Sequence, residues 1–189
     1  IGERDDIPIS DIELSPAVRD QSTRRISMSV EHAYARSRCF AEWKSIKAQF
    51  SDIMARHSRL LDIDMAIITV LLQLLQLPRP EIRLASDLQR RDDPLDTLIS
   101  NCRETRCAAL ILGGGNKDWT TEDTDRLRQA HVDPLVHDFF GAHPEYYQTR
   151  RERLGFCRGL SILDCILNEG HEKTTSLLKR VPLVHDKGT

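Results

Sequence analysis

The chain lacks a charge bias: 27 Lys and Arg stand against 29 Asp and Glu, giving a formal charge of −2 and a pI near 6.4. Nothing global therefore favours nucleic acid or an anionic membrane. It also lacks a paired-cysteine motif. Cys39, Cys102, Cys107, Cys157 and Cys165 are odd in number and form no Cys-x-x-Cys. That argues against a disulfide framework or a structural zinc site and for free thiols in a reducing, cytoplasmic compartment. No run is long enough to span a bilayer, which takes ~20 apolar residues. The most apolar stretch, 65–77, is interrupted by Gln73 and Gln76 and preceded by Asp62 and Asp64. The expectation there is a buried helix, with no membrane insertion. No secretory leader opens the sequence, and it starts at Ile1 without a methionine, so a processed or partial product is expected. Internal repeats, low-complexity tracts, G-x-G-x-x-G, the Walker pattern and His-x-x-x-His are all absent. His131, Asp133, His137, Asp138 and His143 cluster without metal-ligand spacing, so no metal is assigned.

What is present fits one domain over 1–189, since 189 residues at 40% apolar content can fill a single core. Residues 7–14, "IPISDIEL", carry a broken alternation and predict an edge strand. Apolar periodicity predicts helices over 23–35, 40–56 and 58–77, the last stopping before "PRP". The rhythm then changes. "EIRLASDL" (81–88) alternates like a strand, and Pro94 fits the first turn of a helix over 94–104. "CAALIL" (107–112) reads as a strand buried on both faces. Thr-x-x-Asp opens a helix over 121–131, and "VDPLVHDF" follows as a strand that Pro134 places at an edge. Strand, helix, strand, helix, strand is the pattern of β-α-β units. The fold class expected is α/β, a helix-rich N-terminal half packed on a small, mostly parallel, Rossmann-like sheet.

Three stretches carry candidate chemistry. "LILGGGNKDW" (110–119) puts glycines at the carboxyl end of a parallel strand, where open α/β sheets bind ligands. Gly113 and Gly114 would let a backbone approach a phosphate or sugar, and Lys117 would neutralise an anion; a plain tight turn is the competing reading. "HPEYYQTRRERLGF" (143–156) sets Tyr146, Tyr147, Gln148 and Arg150 among further arginines. That composition suits phosphate or carboxylate recognition with ring stacking, or else a solvated basic face. In "RGLSILDCILNEG" (158–170), Ser161 reads as an N-cap with Asp164 at the third helical position, a short-armed capping box, and Gly170 closes the helix. If Asp164 instead points into a pocket, it would orient a substrate hydroxyl or act as base.

The succession of these stretches resembles the WbqC-like family. Gly113 with Lys117, Asp118 and Trp119 matches its strand end. Pro144, Tyr146 and Gln148 match a Pro-x-Tyr-x-Gln-like element. Leu160, Ser161, Asp164, Asn168 and Gly170 match a Leu-Ser-x-x-Asp-x-x-x-Asn-x-Gly-like helix. In "HAYARSRCFAEW" (32–43), Tyr34 and Phe40 fit a further segment. Leu110 and Leu112 depart from the family's tyrosine and serine, and Ser22 and Ile26 from a tryptophan and a histidine. The family's opening Gln-Pro-x-Tyr-x-Pro-Trp-like motif is not in this sequence, so a partial or divergent member is expected.

The resemblance implies a bacterial transferase of surface-glycan (O-antigen, polysaccharide) biosynthesis acting on an activated or nucleotide-linked sugar. A non-catalytic binding or assembly subunit is the alternative. Substrate-binding candidates are Gly113, Gly114, Lys117, Asp118, Tyr147, Gln148, Arg150 and Ser161, with Asp164 the catalytic candidate. The cofactor is left unassigned, and the partner expected is a small-molecule substrate.

Overall fold

The computed structural model describes residues 7–113, 119–137 and 139–180, and the backbone of 184 and 185. The chain divides into two compact units: 1–79 with 145–178, and 80–144 with 179–189.

In the described part of the first unit, all regular structure is helical: α1 (Pro16–Tyr34), α2 (Trp43–Arg56), α3 (Leu60–Leu74), α6 (Arg151–Leu154), α7 (Ile162–Glu169) and α8 (His171–Leu178). α1 starts earlier than the apolar pattern predicts, because Ser15 accepts from the Val18 N–H and Pro16 supplies a preset first-turn φ. Arg19 from its first turn donates through Nη1 to the carbonyls of Met54, Ala55 and His57 at 2.7, 3.1 and 3.0 Å. A cation thus satisfies the open carbonyls at the α2 C-terminus. The strand expected over 7–14 is not formed. Ile9–Asp11 make a single 3-10 turn after Pro8, and only Glu13 bridges to Arg59. The 65–77 stretch is helical to Leu74 but half-buried rather than buried: only Leu75, just past the helix, is fully buried within it, and Ile68 is 43% exposed. The main core joins Val30, Trp43, Ile46, Leu75, Ile166 and Leu167. A smaller one joins Ile53, Met54 and Ile63.

The second unit holds α4 (Pro94–Glu104), β1 (Ala109–Gly113), α5 (Thr121–Gln129), β2 (Asp133–His137) and β3 (Val184–His185). β1 pairs parallel to β2, from Ala109 opposite Asp133 to Gly113 opposite His137, and β2 pairs antiparallel to β3. α5 therefore crosses over between parallel strands, and the α/β class holds. The strand expected at 81–88 is absent; Ala85–Asp87 form a 3-10 turn, since Ser86 and Asp87 favour local turns over a ladder. β1 is buried on one face, not both: Leu112 is 6% exposed and Ile111 58%. β2 lies between β1 and β3 rather than at an edge. Pro134 is tolerated there because the Asp133 N–H already points at Ala108, so position 134 faces away from β1, and the β3 pairing engages only Leu135 and Val136. Leu95, Ile99, Cys102, Leu127 and Val132 form this unit's core. Asp93 caps α4 through the Asp96 N–H. Thr120 and Asp123 form a reciprocal capping box on α5.

A polar staple between a loop and two helices

The candidate site is built on the first unit, where segment 145–158 lies against α7 through side chains rather than a backbone ladder. Ser161 caps α7, its Oγ accepting from the Leu163 N–H at 3.3 Å. Asp164 does not complete the expected capping box. Its side chain turns inward, leaving the residue 5% exposed, and its Oδ2 accepts from the Tyr146 hydroxyl at 2.7 Å. Tyr34 from α1 hydrogen-bonds the same carboxylate, and Asn168 Nδ2 reaches Oδ1 at 3.3 Å. Burial and then the bond to Asp164 push both phenols well above the ordinary tyrosine value. Protons therefore stay on the tyrosines, and the carboxylate oxygens serve as their acceptors. A base role for Asp164 would require a tyrosine to leave.

Asn168, fully buried, repeats the arrangement one turn on. Its Oδ1 accepts from the Thr149 N–H and Oγ1 at 3.1 and 2.6 Å, while Nδ2 donates to the Asp164 carbonyl at 2.8 Å. Every polar valence of the amide oxygen is used, as burial demands. Gln148, 4% exposed, clamps the loop to itself: Nε2 donates to the Cys157 carbonyl at 2.7 Å and Oε1 accepts the Cys157 N–H at 2.9 Å. The Tyr147 N–H donates to Glu169 Oε1 at 2.7 Å, and Lys173 Nζ lies 2.6 Å from Oε2. Burial resists ionisation of Glu169, but Lys173, the Tyr147 N–H and the Arg38 charge outweigh it, holding the carboxyl below its usual value.

Of the candidate residues on the loop, Tyr147 is half-buried and Arg150 exposed. The Arg38 guanidinium lies over the Tyr147 ring, 3.6 Å from its centroid, and makes no ion pair or hydrogen bond with a described residue. Arg150 is exposed with φ +70°, a left-handed backbone unusual for a residue with a side chain. Gly170 closes α7 at φ +84°; a Cβ there would meet Glu42 Oε1 at 3.2 Å and Cys39 Sγ at 3.6 Å. Only a glycine suits both the backbone and the close approach. Ser161 also lines a nearly all-apolar cavity of about 200 Å³ with Ile26, Trp43, Phe50, Leu71 and Ile162.

Of the residues expected to bind substrate, Tyr147, Gln148, Arg150 and Ser161 thus fall in the first unit with Asp164, and Gly113 in the second. Gly114, Lys117 and Asp118 lie outside the described residues. The structure adds Arg38, Tyr34, Glu42 and His171, whose partners are remote in sequence.

The two motif-bearing stretches, Tyr146–Gln148 and Ser161–Gly170, are therefore halves of one hydrogen-bonded unit. The WbqC-like protein family model matches residues 2–176. The chain belongs to that family. Comparison with curated proteins gives no match, and neither does comparison with solved structures. In this WbqC-like chain, Tyr146, Asp164 and Asn168 hold the loop against α7, Gln148 clamps the loop to itself, and Gly170 closes the helix. No helix among the described residues is long and apolar enough to cross a membrane.

Proposed function

We propose that this WbqC-like protein is a cytoplasmic transferase of bacterial surface-glycan biosynthesis, of the polysaccharide or O-antigen kind, that takes an activated or nucleotide-linked sugar. Family membership supplies the context. The observation that carries the reading is the Arg38 guanidinium over the Tyr147 ring, without an ion pair or hydrogen bond to a described residue. A guanidinium held flat against a ring is pre-positioned, so little entropy is lost when it meets a phosphate. The staple beneath fixes Tyr147 through Glu169. Arg150 adds a second exposed cation on the same loop. The glycine turn at Gly113 and Gly114, with Lys117 and Asp118, is proposed on its sequence to approach a phosphate or sugar, as a Rossmann-like sheet built on the β1–α5–β2 crossover would allow.

A binding or assembly subunit without catalysis is favoured by one observation: Asp164 is enclosed by tyrosines and so is a poor base. A thermal-shift screen with UDP-, ADP-, GDP- and dTDP-linked sugars separates the two. The expected result is a rise in Tm with at least one, through mass action, that Arg38→Ala removes. No shift with any of them would sink the transferase reading and leave the assembly role.

A further inference from the structure

A histidine oriented by a carboxylate sits at the junction of α7 and α8, and no role has been given to it. Glu42 ends the 3-10 turn Phe40–Glu42 that precedes α2. Its Oε1 accepts from the backbone N–H of His171 at 3.1 Å, and the His171 Nδ1 lies 3.1 Å from both Oε1 and Oε2. The pair joins residues 129 apart in sequence. A carboxylate on Nδ1 fixes the ring and selects the tautomer with the proton on that nitrogen. Nε2 is then left unprotonated, and it makes no hydrogen bond with a described residue. The side chain is 36% exposed. The pair is not remote from the surface already described. Cys39 Sγ and Glu42 Oε1 both flank Gly170, Arg38 adjoins Cys39, and Tyr147 is tied to Glu169, two residues before His171.

We infer that His171, positioned by Glu42, is the proton acceptor of this site, the part Asp164 cannot play. The inference rests on the transferase reading. As the oxygen of an acceptor hydroxyl bonds to the electrophilic carbon of the activated sugar, its proton passes to His171 Nε2. The bond from that carbon to the phosphate oxygen breaks, and its electron pair leaves with the phosphate, whose charge Arg38 meets. His171 is the catalytic residue and Glu42 a positioning residue. The charged neighbours fit an imidazole that cycles. Glu42 stabilises the imidazolium, Glu169 and Lys173 neutralise each other, and Arg38 is engaged with Tyr147.

The test uses the whole chain, His171→Gln and Glu42→Gln, with the same sugar nucleotides and water as acceptor, following release of nucleoside diphosphate. Binding by calorimetry is expected to be unchanged in His171→Gln while release falls about 10²- to 10⁴-fold. Glu42→Gln should give a partial loss of release. Nitrogen-detected NMR of the wild type should show the His171 Nδ1–H tautomer, changed in Glu42→Gln, a readout independent of turnover. Binding without release in the wild type, or release undiminished in His171→Gln, overturns the inference while leaving the binding reading intact. Absence of binding to any sugar nucleotide overturns both. A variant that merely unfolds is recognised by its circular dichroism, and the tautomer measurement then decides: an Nε2–H tautomer rejects the dyad.

Discussion

The two units hold their polar groups in opposite ways. In the second, hydrogen bonds that fix helices are local: Thr120 with Asp123 and Asp93 with Asp96, each three residues apart. In the first, beside the local caps of Ser15 and Ser161, they are long-range and buried or half-buried: Tyr146 to Asp164, Thr149 to Asn168, Glu42 to His171, and Thr175 Oγ1 to the Leu75 carbonyl 100 residues away. Local caps cost little to lose because water replaces them. Buried partners cannot be replaced, so each loss leaves desolvated groups behind. The chain supplies a reporter for each side of the comparison, Trp43 in the first unit and Trp119 in the second. Trp119→Phe and Trp43→Phe backgrounds let fluorescence follow one unit at a time.

The largest effect expected is from Asp164→Ala, which strands two phenol hydroxyls and leaves Asn168 Nδ2 with the backbone carbonyl of residue 164 alone. At roughly 1–3 kcal/mol per unsatisfied buried group, it should lower stability by about 4 kcal/mol by urea denaturation read at Trp43. A loss under about 1 kcal/mol would mean the staple is not closed to water. The counterpart in the second unit is apolar: Leu127 is fully buried in its core. Leu127→Ala should cost about 3 kcal/mol, read at Trp119. If each substitution moves both tryptophan signals together, the units unfold as one and the contrast lies in chemistry alone.

Alkaline pH divides the units next. All three tyrosines belong to the first unit. Those of Tyr34 and Tyr146 have folded pKa values raised by burial and by Asp164. Stability from a raised group is complete below its unfolded value of about 10 and is lost as pH climbs through the folded one. Between those limits the loss for Tyr146 should approach about 1.4 kcal/mol per pH unit. Urea midpoints above pH 10 should fall in the Trp43 signal, and Tyr146→Phe should flatten that slope. Equal slopes with and without the phenol would refute the linkage. At the local end of the scale, Thr120→Ala should cost about 1 kcal/mol, read at Trp119.

The same division explains how much the sequence discloses. α4 and α5 are legible because their start signals lie within four residues of each other, at Asp93–Pro94 and Thr120–Asp123. α7 is legible by its apolar stripe, its Ser161 cap and Gly170. The direction of the Asp164 side chain is not. Ser-x-x-Asp reads as a capping box until a tyrosine from elsewhere in the chain claims the carboxylate. "EIRLASDL" misleads in the same way: alternation describes a strand only if a neighbour strand pairs with it, and among the described residues β1 pairs with β2 alone. The site followed this rule. Tyr147 was visible as an aromatic beside arginines, but the arginine that stacks on it comes from α1's far side of the sequence, at Arg38, and nothing near Tyr147 announces it.

The ion pairs give the finest contrast. Arg126 reaches Asp96 at 2.8 Å and Asp93 at 3.6 Å across the second unit's surface, all three side chains more than a third exposed. Such pairs gain little because solvent screens them and long side chains lose freedom. Arg126→Ala should leave the Trp119 midpoint unmoved within error, at low and high salt alike. Lys173 pairs with a carboxylate that is only 7% exposed. Removing it leaves Glu169 with the Tyr147 N–H and the Arg38 charge to oppose its burial, so the carboxyl pKa should rise. A depressed folded pKa gives stability present above the unfolded value, about 4.3, and lost as pH falls through the folded one. Lys173→Ala should therefore shift the first unit's acid loss to higher pH, while Arg126→Ala shifts nothing in the second. Equal behaviour of the two variants in acid titrations would show that burial of the Glu169 carboxylate, rather than its partner, is what the loop contact depends on.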